Sequence, residues 1–102
     1  MSEQRVRHMV IFCLRHDSGS PESETFLHDG RAILTAIPQV ECFEVLRQVS
    51  PKNDYDFGFS MEFANQSAYE AYNEHPAHGR FVRERWETEV TRFLEIDLEV
   101  MN

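Results

Sequence analysis

The run from Arg5 to Arg15 sets Val6, His8, Val10, Phe12 and Leu14 on one side and Met9, Ile11 and Cys13 on the other. Both sides are largely apolar, which predicts a strand covered on two faces. Asp17-Ser-Gly-Ser20 then reads as a loop, with Ser20 as a helix cap and Pro21 in the first helical position. Phe26, Leu27, Gly30, Ile33, Leu34 and Ile37 recur at helical spacing up to Pro38, and Gly30 in mid-helix suggests a close approach to a sheet. A second strand is expected over Val40 to Val49, followed by a turn at Ser50-Pro-Lys-Asn-Asp54. Tyr55 to Phe63 has the cleanest alternation: Tyr55, Phe57, Phe59, Met61 and Phe63 share one face, and Asp56, Gly58, Ser60 and Glu62 the other.

Asn65 can cap a helix carrying Ala68, Tyr69 and Tyr72. Pro76 supplies no helical N–H and disfavours α geometry at His75, so this helix should break there. A further helical stretch carries Phe81, Val82, Arg85, Trp86 and Val90, with Trp86 as an anchor against the sheet. Leu94, Ile96, Leu98 and Val100 then alternate with Glu95, Asp97 and Glu99 in a last strand. The order β-α-β-β-α-β predicts a ferredoxin-like α+β fold, a four-stranded antiparallel sheet with its helices on one face. So short a chain cannot cover the second face itself. That predicts a homodimer in which two sheets face each other around an aromatic-lined space, a dimeric α/β barrel.

With 102 residues the chain is expected to form a single domain over residues 1–102. The formal net charge of -8 argues against a nucleic-acid partner, because phosphate binding needs a concentrated positive face. Arg80, Arg83 and Arg85 are interleaved with Glu84, Glu87 and Glu89, which reads as a solvated helix face. No apolar run approaches the length of a membrane span, and the N-terminus lacks the layout of a leader, so a cytoplasmic location is expected. Cys13 and Cys42 sit in apolar runs and are expected as buried free thiols.

The chemistry concentrates in Tyr69-Glu-Ala-Tyr72-Asn-Glu-His75-Pro-Ala-His78. Tyr and His can polarise a carbonyl and move protons near neutral pH. His78, neutral, can take a proton from a carbon flanked by carbonyls, while the Tyr72 hydroxyl hydrogen-bonds the developing enolate oxygen. Such a carbon is acidic enough that no metal or other cofactor is expected. The alternative is structural: Tyr72 packs its ring on the sheet, and His78 caps the next helix. His8 is either a satisfied core histidine or a pocket residue. His75 shapes the turn or lies at the surface, and His16 and His28 are expected to be exposed. His75 and His78 lack the further ligands that a closed zinc site requires, so no metal site is expected.

The motifs Arg7-His8-Met-Val-Ile-Phe12, Ile37-Pro38, Tyr55-Asp-Phe-Gly-Phe59 with Met61-Glu-Phe63, Ala71-Tyr72 with His75-Pro-Ala-His78, and Ile96-Asp97 with Glu99-Val100 span almost the whole chain. In them the chain resembles the stress-responsive dimeric α/β-barrel (Dabb) domain family. The resemblance implies the fold and the homodimer. One branch, plant olivetolic acid cyclase, is a cofactor-independent polyketide cyclase that closes a ring by aldol condensation. Its catalytic Tyr and His match Tyr72 and His78, and a pocket-facing strand histidine matches His8. Asn73-Glu74 and Gly79-Arg80 are more polar than in that branch, which argues against a long alkyl substrate. The expected ligand is a small hydrophobic or polyketide-like molecule, contacted by His8, Phe12, Phe57, Phe59, Tyr69 and Phe81. Two other readings are a non-catalytic stress-response or ligand-binding shell, and a quinone-forming monooxygenase or haem-degrading relative.

Overall fold

The computed structural model describes residues 4–101. Strand β1 (Val6–Leu14) leads through Ser20 into α1 (Pro21–Thr35). The Ser20 side chain accepts a hydrogen bond from the Ser23 N–H at 3.2 Å, filling one of the vacant donors of the first turn. Helix α1 stops short of Pro38: Ala36 is its cap, and Ile37 packs into the core beyond the helix end. Strands β2 (Glu41–Arg47) and β3 (Phe57–Phe63) are both shorter than the sequence pattern implies. Helix α2 (Gln66–Glu74) is capped by Asn65, whose Oδ1 accepts from the Ala68 N–H at 2.8 Å.

After the proline break, α3 (Pro76–Phe81) passes into a π-helical turn (Val82–Trp86) and a last helical turn (Glu87–Glu89). Strand β4 (Val90–Glu99) follows. Val90, expected at the end of the helix, is instead the first residue of this strand, pairing with Leu14. The sheet order is β2-β3-β1-β4 and all three pairings are antiparallel, which is the ferredoxin-like α+β arrangement.

The helical layer covers one face of the sheet. Phe12, Phe26, Ile37, Phe59, Met61 and Phe63 are the large apolar side chains with almost no exposure, and they form the centre of the core between the layers. Phe26 from α1 stacks on Phe59 from β3, ring centroids 6.3 Å apart and planes within 5°. Trp86 anchors the helical layer as expected, its ring 4.9 Å from that of Phe12 and 5.6 Å from that of Phe93. Each fully buried side chain of this size contributes roughly 1.5–3 kcal/mol.

Several surface expectations are corrected. Cys42 is an exposed free thiol, because the β2–β3 pairing is irregular between Glu41 and Glu44 and Cys42 takes φ 52° there. Cys13 is half-buried. His16 is also half-buried, its Nε2 2.8 Å from Glu89 Oε1. Arg85 does not belong to a freely solvated face: it donates to Asp29 on α1 and to Glu89, both at 2.6 Å, tying two parts of the helical layer together. No helix of the described residues is long and apolar enough to cross a membrane.

Gly30 sets the spacing of the layers. A Cβ at this position would lie 2.7 Å from Phe59 Cζ and 3.0 Å from Cε2, within a ring that is itself 1% exposed. Gly30→Ala should therefore destabilise the fold by about 1–3 kcal/mol through overpacking, despite alanine's intrinsic helical advantage of about 1 kcal/mol. Denaturant unfolding of the two proteins measures the difference, and an unchanged or raised midpoint would refute the tight contact.

Candidate functional site

A cavity of about 350 Å³ lies between the helical layer and the sheet within a single chain. This cavity is distinct from the space between two facing sheets that the sequence pattern predicts, and the Phe57, Phe59, Met61 and Phe63 side of β3 faces the helices and not the uncovered sheet surface. Val10, Phe59 and Met61 from the sheet, Leu34 from α1, and Phe81, Val82 and Trp86 from the helical stretch after Pro76 wall the cavity. Phe93 on β4 closes one side. The π-helical turn brings Val82 and Trp86 to the cavity together, a local widening often found at functional sites.

The polar residues come from five elements: His8 on β1, Tyr72 and Asn73 on α2, His78 on α3, Glu87 in the last helical turn and Glu95 on β4. The break at Pro76 explains how Tyr72 and His78 meet. His75 is extended (φ −65°, ψ 135°), and its Nδ1 accepts from the Ala77 N–H at 3.0 Å, so His75, not His78, caps the new helix. Freed of that task, His78 lies in the first turn of α3 with its ring centroid 4.5 Å from that of Tyr72. The Tyr72 ring also packs on Phe63, ring centroids 5.0 Å apart, as its structural reading expects.

His8 is 5% exposed and fully partnered on one edge. Its Nδ1 lies 2.6 Å from Asp97 Oδ1, and the Tyr69 hydroxyl donates to Asp97 Oδ2 at 3.0 Å. A carboxylate accepts only, so Nδ1 carries the proton and Nε2 is left as the nitrogen free to meet a ligand in the cavity His8 lines. Asp97 thus fixes both the tautomer and the ring orientation.

Burial pushes the His78 imidazole below its ordinary value, His8 adds to that shift, and the Asn73 backbone opposes it. His78 is accordingly a neutral imidazole at pH 7. Burial raises the Tyr72 phenol well above its ordinary value, with Tyr69 and Glu95 acting in the same direction. Burial likewise raises Tyr69, reinforced by its hydrogen bond to Asp97. Both phenols therefore remain hydrogen-bond donors throughout the physiological range.

Of the residues singled out in the sequence, His8, Tyr72, His78, Phe59 and Phe81 come together around the cavity. Tyr69 stands behind His8 and reaches the site through Asp97. Phe12 and Phe57 do not line the cavity; both are core residues, their rings in contact at 6.0 Å. Asp97 and Glu95 were legible only as the polar side of an alternating strand. The signal that finds them is pairing register, since Asp97 lies opposite His8 and Glu95 opposite Val10.

No curated protein matches the chain. Among solved structures, a Dabb family protein with a ferredoxin-like fold from Mesorhizobium loti is 55% identical, with a TM-score of 0.95 over 98% of this chain and 100% of that one. A dimeric ferredoxin-like protein of unknown function from Thermobifida fusca is 17% identical, with a TM-score of 0.77 over 98% of this chain and 94% of that one. A hydroxynitrile lyase from Passiflora edulis shares the fold at 11% identity, with a TM-score of 0.84 over 99% and 97% of the two chains. Residues 6–100 match the stress responsive A/B barrel domain throughout, and with the Mesorhizobium relative this establishes that the chain belongs to the Dabb family.

Proposed function

We propose that the protein is a cofactor-independent acid–base catalyst that closes a ring in a small polyketide-like substrate by intramolecular aldol addition. The observation that carries this reading is the Tyr72–His78 pair, 4.5 Å apart between ring centroids at an apolar-walled cavity, with the imidazole held neutral by burial. His78 takes the proton from a carbon between two carbonyls, and the Tyr72 hydroxyl donates to the oxygen on which enolate charge develops. The enolate carbon then attacks a second carbonyl of the same chain. The new alkoxide recovers the proton from the His78 imidazolium, so the base is regenerated and no proton is consumed. His8 Nε2, oriented by Asp97, supplies a further hydrogen-bonding group at the same cavity.

The working unit in this proposal is a homodimer. Leu94, Ile96 and Leu98 lie on the uncovered sheet face, opposite Ile11, Met9 and Arg7 of β1. Leu94 and Leu98 are 48% and 50% exposed, a contiguous apolar strip of the kind that marks an interface. The dimeric Thermobifida neighbour is consistent with this use of the face.

A linear poly-β-keto thioester tests the chemistry. Tyr72→Phe and His78→Ala are each expected to lower kcat by about 10²-fold or more. If both variants and the wild type match the uncatalysed rate, the cyclase reading fails for this substrate class and the cavity is that of a binding protein. The pH dependence supplies an independent check. Because His78 acts as the neutral base and burial lowers its pKa, kcat/KM should hold as pH falls through 6.5 and drop only below it. An acid limb above 6.5 would exclude His78 as that base.

Sedimentation at micromolar concentration should give a dimer of the 12.0 kDa chain, and Leu98→Asp should shift it toward monomer. A monomeric wild type would overturn the shared-sheet arrangement.

A further inference from the structure

Strand β4 presents two opposite chemistries. Leu94, Ile96 and Leu98 look away from the helices, while Phe93, Glu95 and Asp97 look toward them. Glu95 lines the cavity from the sheet side and Glu87 lines it from the helical layer, so carboxylates stand on two of its walls. Asp97 adds a third behind His8. Among the described residues, no lysine or arginine lines the cavity. Arg85, a cation of the same helical stretch, is held by Asp29 and Glu89. Arg92, next to Phe93, is paired with Asp54.

Tyr72 is 2% exposed and lines the cavity, yet its hydroxyl takes no part in the His8–Asp97–Tyr69 hydrogen bonds beside it. The hydroxyl is therefore free to donate to an acceptor on a ligand. Glu95 acts electrostatically on this same group, raising the Tyr72 phenol and opposing the fall at His78. Its field therefore reaches the reacting end of the cavity.

From this arrangement we infer that the cavity is charge-selective: it takes a substrate whose reacting portion is uncharged or cationic, and Glu87 and Glu95 turn away carboxylates and other anions. The inference rests on the cavity being the substrate site proposed above, and it narrows the substrate class to neutral polyketones and their esters in preference to free keto acids. Glu87 and Glu95 are themselves exposed, so an anion approaching the cavity meets a repulsion that salt screens, with no lining cation to offset it, whereas a carbonyl accepts from Tyr72 at no such cost.

Two fluorescent probes that share a scaffold test this: N-phenyl-1-naphthylamine, which is neutral, and 1-anilinonaphthalene-8-sulfonate, which adds one sulfonate. The neutral probe is expected to bind at least about tenfold more tightly in 0.01 M salt, where the Debye length is about 30 Å, with the gap narrowing toward 1 M salt. The double variant Glu87→Gln with Glu95→Gln should recover sulfonate binding by about tenfold while changing affinity for the neutral probe far less. Equal affinities, or a gap that neither salt nor the double variant narrows, would overturn the charge selection and leave the cavity reading standing. If neither probe binds, the cavity is not a ligand site, and both the charge selection and the proposed function built on that cavity fall together.

Discussion

The contact between α1 and β3 at Gly30 and Phe59 sets the height of the helical layer above the sheet. With no side chain at Gly30, the helix backbone comes down onto the Phe59 ring, and Phe26 stacks against that ring from the same helix. The layer cannot settle equally close everywhere. Toward β4 the covering element is no longer a regular α-helix but α3 and its π-helical turn, and there the two layers enclose a cavity. Phe59 belongs to both regions, packing in the core and walling the cavity, so the tight end of the molecule defines the open end.

The site depends on one further constraint, the change of helix direction at Pro76. A continuous helix would place residues six apart on faces about 120° away from lying along one stripe, since each residue turns about 100°. Starting a new helix at Pro76, with His75 spent on its cap, instead returns His78 to the Tyr72 ring. The two histidines of the cavity then take different characters from their neighbours. His8 has a carboxylate on Nδ1 and a settled tautomer, whereas His78 is lowered chiefly by loss of water around it. Similar side chains are thereby separated into an oriented hydrogen-bonding group and a neutral imidazole.

Much of this was readable from residue order. The Ser20–Pro21 start, the Asn65 cap, the alternation of β3 and the break at Pro76 are local rules, decided within a few residues, and the structure follows them. The Gly30 contact was legible because a glycine in mid-helix has few other reasons to be there. What escaped was decided by pairing between distant segments. Asp97 reads as an exposed strand residue until β1–β4 register sets it beside His8. His16 reads as exposed until Glu89 is brought to it across the fold, and the exposure of Cys42 follows from an irregularity that only the β2–β3 ladder defines. The side of the sheet on which the cavity lies was likewise a tertiary fact: an aromatic strand face predicts a core, but not which layer stands off from it.

The alternation of β4 has a consequence for how the chain must assemble. Its leucines and its carboxylates are assigned to opposite surfaces solely by their position along the ladder with β1. Sliding that ladder by a single residue would exchange the two sets, driving carboxylates into the proposed subunit contact and leucines into the cavity. The His8–Asp97 bond, with the Tyr69 hydroxyl closing over it, is satisfied in only one of these alignments. The polar cluster at the site thus also acts as the alignment pin of the edge strand, and a lesion there would be felt on the far side of the sheet as well as in the cavity.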